Sequence, residues 1–226
     1  QGYIEMQTPT LIRNPFGADA KPFETDGYYL RIAPELELKK LVVGGFDKIY
    51  EIGKSFRNEG LSQKHNPEFT MLEIYTVKAG ASLSDVMIQI QELLTEVILR
   101  VKSGLFVNKI NWAEFSMIKM STDFDELKIK HPAFLTGFSA DESPLAASQN
   151  GVALRTELYV GGMELANGYV ELSSPDDQFA NFQAQGVVDT DYINALKVGL
   201  PPTFGVGIGI DRLIMLLTDR NIKEVI

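Results

Sequence analysis

Cysteine is missing from all 226 residues, which excludes disulfides and thiolate-held metals and fits a reducing, cytoplasmic setting. Histidine is nearly missing too: His65 and His131 are too few for a histidine-rich metal centre. No apolar run approaches the ~20 residues of a membrane span; the longest lies near Leu213–Leu217, and no membrane partner is expected. Gln1-Gly2-Tyr3-Ile4-Glu5 has neither the basic start nor the apolar stretch of a signal peptide. Positive charge is in short supply, with 21 Lys and Arg against 30 Asp and Glu and a net charge of −9. Proteins that grip nucleic acid through its phosphates carry a basic face, so this piece alone is not expected to bind nucleic acid strongly. Nucleotide chemistry stays open, because a few placed arginines and a metal ion suffice for it. What is present, 45% hydrophobic and 23% charged residues, suits one large globular domain or two small ones.

The chain opens within an alternating stretch, Gly2 to Pro9, that reads as a strand running to a domain edge. A protein rarely begins inside an element, so a preceding segment is expected. Residues 10–27 read as loop, with Asn14-Pro15-Phe16-Gly17 as turn chemistry. Ala33-Pro34-Glu35 starts a helix whose apolar face is Leu38, Leu41 and Val42, and Gly44-Gly45 ends it. Residues 48–56 and 70–79 read as strands. The clearest helix spans 84–102, where Val86, Ile90, Leu93, Val97 and Val101 recur at helical spacing and Ser82 with Asp85 form a capping box. Residues 103–131 show no clean period. Strand signals return at 134–138, 154–160 and 169–172; 176–185 and 192–196 read as helical, and a strand at 205–210 leads into a helix from Asp211 to Thr218. Hairpin strands with intervening helices predict an α+β domain, a mostly antiparallel sheet flanked by helices.

Three constellations carry chemistry. Around the first hairpin, Arg57 suits bidentate bonding to phosphate or carboxylate, and Glu59 shares its strand face. Phe69, across the polar loop, offers a flat surface for a purine, and Glu73 and Tyr75 share a face of the return strand. By itself, an Arg-x-Glu on a hairpin usually makes solvated cross-strand ion pairs. The second constellation is Glu157, Glu164, Asn167 and Glu171. Two carboxylates on neighbouring strands hold Mg²⁺ that stays partly bound to water and phosphate, although acids interleaved with leucines usually form a solvated sheet face. A buried carboxylate among them needs a partner such as an ammonium group. The third is Gly205-Val206-Gly207-Ile208-Gly209-Ile210-Asp211-Arg212, a strand whose glycines let a ligand or backbone come close, with Arg212 opening a helix within reach of a triphosphate. The alternating βαβ pattern of a dinucleotide-binding loop is absent around it.

The string from Arg31-Ile32-Ala33-Pro34-Glu35 through Tyr75 resembles motif 2 of the class II aminoacyl-tRNA synthetases, most closely their lysine-activating branch. Residues 161–172 look like the lysine-pocket strand of that family, residues 199–212 resemble motif 3, and Gln7-Thr8-Pro9 resembles the end of motif 1, which lies at a dimer interface there. The resemblance implies one catalytic domain over 1–226, N-terminally truncated, with motif 1 near 2–9, motif 2 near 48–79, motif 3 near 199–218 and a shortened insertion at 103–131. It implies Arg57 and Arg212 as catalytic residues, Arg57 binding the α-phosphate and the amino acid's carboxylate. Phe69 and Arg212 would sandwich adenine, Glu59 would contact its ring, His65 would approach the terminal phosphates, and Glu157 and Glu164 would hold Mg²⁺. For lysine, Glu35 would take the α-amino group and Tyr75 and Glu171 the side-chain ammonium. Asn167 would lie close by, Glu73 would line the pocket, and Gly17 would border the α-amino site.

The implied reaction is ATP-dependent activation of lysine and transfer to the acceptor end of tRNA(Lys) by a cytoplasmic homodimer. The residues of this chain ahead of motif 1 do not include an anticodon-binding barrel. A paralogue that attaches lysine or β-lysine to elongation factor P also lacks that barrel, and residues 164–168 and 195–199 look more like it, whereas 31–60 and 199–212 look more like the synthetase. Aspartate and asparagine enzymes are not expected to carry Asn167-Gly168-Tyr169-Val170-Glu171. A non-catalytic, synthetase-like regulator is expected to lose the charged site residues that this chain retains.

Overall fold

Alternation of period two and apolar stripes of period 3.6 sort this chain into strands and helices along its length. The computed structural model describes residues 2–14, 20–60, 62, 65–102, 104, 106–120 and 131–226. In chain order the first elements are β1 (Ile4–Glu5), β2 (Leu11–Ile12), β3 (Phe23–Thr25), β4 (Tyr28–Leu30), α1 (Glu35–Val43), β5 (Lys48–Phe56), β6 (Glu68–Val77) and α2 (Leu83–Lys102). Short strands follow: β7 (Phe106–Val107), β8 (Ile110–Asn111), β9 (Ser116–Lys119), β10 (Ala133–Thr136), β11 (Ser148–Gln149) and β12 (Val152–Ala153). The last third holds β13 (Arg155–Val160), β14 (Met163–Val170), α3 (Pro175–Ala184), α4 (Thr190–Val198), β15 (Thr203–Gly209), α5 (Ile210–Thr218) and α6 (Ile222–Val225).

Eight strands form one sheet in the order β1-β5-β6-β15-β14-β13-β10-β9. Only its two outermost pairs, β1 with β5 and β9 with β10, are parallel. The expected α+β class, a mostly antiparallel sheet flanked by helices, is what forms. Val86, Ile90, Leu94 and Ile98 of α2 bury against Leu158, Leu165, Ala166, Val206 and Ile208 of the sheet, with Leu213, Leu216 and Leu217 of α5 joining them. On the other face α1 and α4 bring Leu36, Leu38, Val42, Ile193 and Leu196 against Ile49 and Tyr75. Ser174 caps α3 by accepting from Asp177 N, and Asp189 caps α4 by accepting from Tyr192 N, so both helices begin where their first turn demands. Among the described residues no helix is long and apolar enough to cross a membrane.

Several expectations need correction. Residues 10–27 are not all loop: β2, β4 and β3 form a small three-stranded antiparallel sheet, whose two- and three-residue strands are too short to show a period. The strand expected at 169–172 spans Met163–Val170, because Gly161 and Gly162 turn the chain just before it. The inward stripe of α2 runs 86-90-94-98; Leu93 and Val97 lie on its flank, and Val101 is exposed. At the head of α2 the Ser82 hydroxyl donates to Asp85 instead of accepting from its N–H, so only one arm of the capping box forms: Asp85 accepting from Ser82 N.

Gly168 sets how closely α2 lies on the sheet. A Cβ there would stand 2.6 Å from Val86 Cγ1 and 2.7 Å from the Gly205 carbonyl oxygen, and the backbone atom cannot swing away. Gly168→Ala should therefore cost about 1–3 kcal/mol through overpacking, read as a lowered urea midpoint at unchanged m-value.

Candidate active site

Residues directly opposed in antiparallel strands share a sheet face, so the register builds the site row by row. One row crosses Glu51, Glu73, Gly207, Asn167 and Glu157. The next crosses Ile49, Tyr75, Gly205, Tyr169 and Arg155. The glycines of β15 make the floor of a trough between the side chains of β6 and those of β14. A Cβ on Gly205 would meet Tyr75 Cε1 at 2.6 Å as well as the Glu171 carboxylate, and one on Gly207 would meet Met71 Cε at 3.0 Å and Glu73 Oε1 at 3.2 Å. At the row's end Glu51 accepts from Thr8 N and Oγ1 at 3.1 and 2.7 Å and pairs with Arg31 at 2.6 Å. The stretch ending in Pro9 is thereby tied to the sheet.

An acidic nest covers one end of the trough. Glu35, in the first turn of α1, lies one turn before Lys39, and Lys39 Nζ donates to Glu35 Oε1 at 2.6 Å. Lys39 is 0% exposed, forms a second ion pair with Glu171 Oε2, and lies over the rings of Tyr169 (5.2 Å) and Tyr192 (5.9 Å). The Tyr169 hydroxyl also donates to Glu35 Oε1, and the Tyr75 hydroxyl donates to Glu73 Oε2 at 3.1 Å. Burial opposes the charge of Lys39, but Glu171 and Glu35 outweigh it and hold the ammonium protonated above the usual lysine range. Burial and the nearby Glu35 carboxylate push Glu73 up to about 8. Burial also pushes Glu171 up, with Lys39 restraining it. Glu171 Oε1, beside the glycine floor, has no hydrogen-bond partner among the described residues.

Cations gather at the other end. Arg57 follows β5 directly, its guanidinium 5.1 Å over the Phe69 ring and its Nε donating to Ile32 O at 3.4 Å. Burial lowers its pKa, against the opposing pull of Glu59, Glu164 and Glu73. Arg212, in the first turn of α5, donates to Glu164 O at 2.6 Å and to Glu164 Oε2 at 3.4 Å. Asp211 beside it accepts from Thr70 N at 2.7 Å and pins β6 to α5. Glu157 pairs with Arg155 at 2.5 Å, and burial together with the Glu164 carboxylate raises its pKa. Among the described residues no three His, Cys, Asp or Glu converge as a cage for a metal ion. Glu157 and Glu164 are nonetheless two mutually repelling hard-oxygen donors, a pair that suits Mg²⁺ completed by phosphate and water.

A β-bulge makes that pair possible. Glu157 faces Asn167, but the register slips beyond Leu158, so Tyr159 opposes Glu164 rather than Leu165. The extra residue sends Leu165 into the apolar core and brings Glu164 round to Arg212.

Of the residues expected from sequence, Glu35, Glu73, Tyr75 and Glu171 converge in the nest, and Asn167 lies in the row beside it, accepting from Arg155 at 3.3 Å. Arg57, Phe69, Glu59, Glu164 and Arg212 gather around the cationic end. His65 is exposed and its ring meets Ser62, apart from the buried groups. Gly17 lies outside the described residues. Sequence reasoning missed Lys39, Tyr169, Tyr192 and Arg155. Lys39 was findable as the i+4 neighbour of Glu35, and Tyr169 as the same-face residue between Asn167 and Glu171; nothing local marks Tyr192.

The family description tRNA synthetases class II (D, K and N) matches residues 1–226, and the chain belongs to that family. Its individual relatives are narrower. Proteins named lysine--tRNA ligase from Coxiella burnetii (strain Dugway 5J108-111), Methanospirillum hungatei JF-1 and Buchnera aphidicola subsp. Cinara cedri are 39%, 38% and 37% identical to it. The matches cover 100%, 100% and 99% of this chain and 59%, 58% and 58% of those proteins. The chain thus spans about three-fifths of the length of the curated relatives it matches. The aligned regions run to 298, 297 and 295 positions, longer than this chain, so the relatives carry internal residues without a counterpart here.

The nest predicts an unusual stability profile. Glu73 binds its proton more tightly when folded than when unfolded, so between about pH 4.5 and 8 the folded state holds more protons and stability falls as pH rises. Urea midpoints should drop from pH 5 to pH 8.5 by on the order of a few kcal/mol in unfolding free energy, and Glu73→Gln should remove much of that slope.

Proposed function

We propose that this chain is the catalytic portion of a lysine-activating synthetase that forms lysyl-adenylate from lysine and ATP and passes the lysyl group to the 3′ end of tRNA(Lys). The observation that carries the reading is the unpartnered Glu171 Oε1, a buried acceptor over a glycine floor in a nest where three carboxylates share one resident cation. That surplus of acid calls for a cationic ligand. Lysine answers it, with its side-chain ammonium toward Glu171 and Tyr75, its α-amino group toward Glu35, and its carboxylate toward Arg57. The names of the relatives support lysine over aspartate or asparagine, and tRNA over elongation factor P as acceptor.

The chemistry asks for positioning rather than proton transfer. The lysine carboxylate is already ionised, so its oxygen attacks the α-phosphorus without a general base; an O–P bond forms, the bond to the bridging oxygen breaks, and pyrophosphate leaves. Arg57, half-buried against the Phe69 ring, holds carboxylate and α-phosphate together and takes up charge developing between them. Phe69 and Arg212 would enclose adenine, with Glu59 at its edge and His65 toward the terminal phosphates. Mg²⁺ held by Glu157 and Glu164 would supply charge neutralisation on the triphosphate and the departing pyrophosphate. Assembly as a homodimer along the sheet edge that carries β1 belongs to the same reading; Ile4 and Ile52 are exposed there.

Lysine-dependent ATP–pyrophosphate exchange tests the activation step, with (R)-β-lysine and the other amino acids run beside it. Exchange is expected to be driven best by α-lysine; preference for β-lysine would move the assignment to the elongation factor P branch. Glu171→Ala should raise KM for lysine by at least ~30-fold, the lower end of the 2–5 kcal/mol lost when one partner of a buried ion pair is truncated, while KM for ATP stays near the wild-type value. An unchanged lysine dependence in that variant would sink the pocket assignment.

A further inference from the structure

Among the described residues Lys39 is the one cation buried within this nest of acids, and it is part of the helix that delivers Glu35. Its ammonium lies between Glu35 Oε1 (2.6 Å) and Glu171 Oε2. The rings of Tyr169 and Tyr192 close its remaining sides at 5.2 and 5.9 Å. That leaves Glu171 split into two unlike oxygens: Oε2 is paired with Lys39, while Oε1 is buried, without a partner among the described residues, and turned to the glycine floor beside Tyr75.

We propose that Lys39 is a substrate-positioning residue, a built-in ammonium that occupies Glu35 and one oxygen of Glu171 so that the other oxygen of Glu171 stands free as the acceptor for the ammonium of the incoming amino acid. The inference rests on the lysine-activating reading of the same pocket and adds a residue and a reason for its charge. Two consequences follow from the arrangement. A carboxylate buried without a cation takes up a proton and ceases to be an acceptor, and Lys39 opposes that at Glu171. The substrate's ammonium is also kept from settling on Oε2, where the resident ammonium already sits. The groups facing this pair are Glu35 on its own helix, Glu73 and Tyr75 from β6, Tyr169 from β14 and Tyr192 from α4, with Arg57 beyond Glu73.

The test is lysine-dependent ATP–pyrophosphate exchange from pH 6.5 to pH 9 in the wild type, Lys39→Met, Lys39→Arg and, as a control, Lys40→Met, whose half-buried side chain pairs with Glu37 instead. In Lys39→Met the KM for lysine should rise at least ~10-fold at pH 7, and its fall with rising pH should begin at higher pH than in the wild type, because Lys39 no longer restrains the proton on the buried Glu171. The change should fall on KM for lysine and not on KM for ATP. Lys39→Arg should keep the wild-type slope against pH, and Lys40→Met should match wild type throughout. A rise in KM equal at every pH would make Lys39 merely structural and overturn the proposal. A fall in KM at every pH would make it a repeller of substrate and overturn the proposal as well. If Lys39→Met does not fold, Lys39→Gln, which keeps a polar head for the two carboxylates, carries the same comparison. A wild type that activates lysine while the neutral variants behave like it overturns this inference alone. A wild type with no lysine-dependent exchange overturns the functional reading and this inference with it.

Discussion

Withdrawing three carboxylates from water around one ammonium is the constraint on which the rest of the site depends. Each buried acid carries a desolvation cost of several kcal/mol, and a single ion pair does not offset three of them. The fold meets the cost through neighbours: Lys39 from α1, hydroxyls from Tyr75 and Tyr169, and the start of a helix whose dipole favours Glu35 in its first turn. The seating of α1 therefore serves two ends. Leu36, Leu38 and Val42 anchor it in the apolar core, and Glu35 and Lys39 place both members of an ion pair over the sheet. The glycine row of β15 completes the arrangement, since any side chain there would fill the space that the acids surround.

On the proposed reading, such a nest holds more acid than its resident ammonium pairs until a cationic ligand enters. A cation that binds the folded chain and not the unfolded one stabilises it by mass action, and here it also draws Glu73 and Glu171 back toward their charged forms. Binding and proton release are thereby coupled at the same residues.

Much of this was legible in the residues. Period two on β6 placed Glu73 with Tyr75, whereas Asn167 and Glu171 came from the resemblance. Period two on β14, applied between those two residues, reaches Tyr169. Resemblance added Glu35, which lies on a helix far away in sequence and which no local period connects to the sheet. Lys39 was hidden by its type, because a lysine in a helix reads as solvated until the packing above it is known. Tyr192 arrives from α4 through a tertiary contact with no local mark. The short strands β2, β3 and β4 were invisible because two or three residues carry no measurable alternation.

The bulge in β14 has a consequence of another kind. Upstream of it, even-numbered Glu164 looks toward the cationic end; downstream, odd-numbered Asn167 and Tyr169 look the same way. The strand is two half-strands spliced out of phase, and the splice point is a single leucine. An unbroken ladder with no residue surplus to it would set Leu165 opposite Tyr159 and turn Glu164 to the apolar face, exchanging the roles of acid and leucine. The chain's reading frame for inside and outside is thus held by one surplus residue, so this stretch should tolerate changes of identity far better than changes of length.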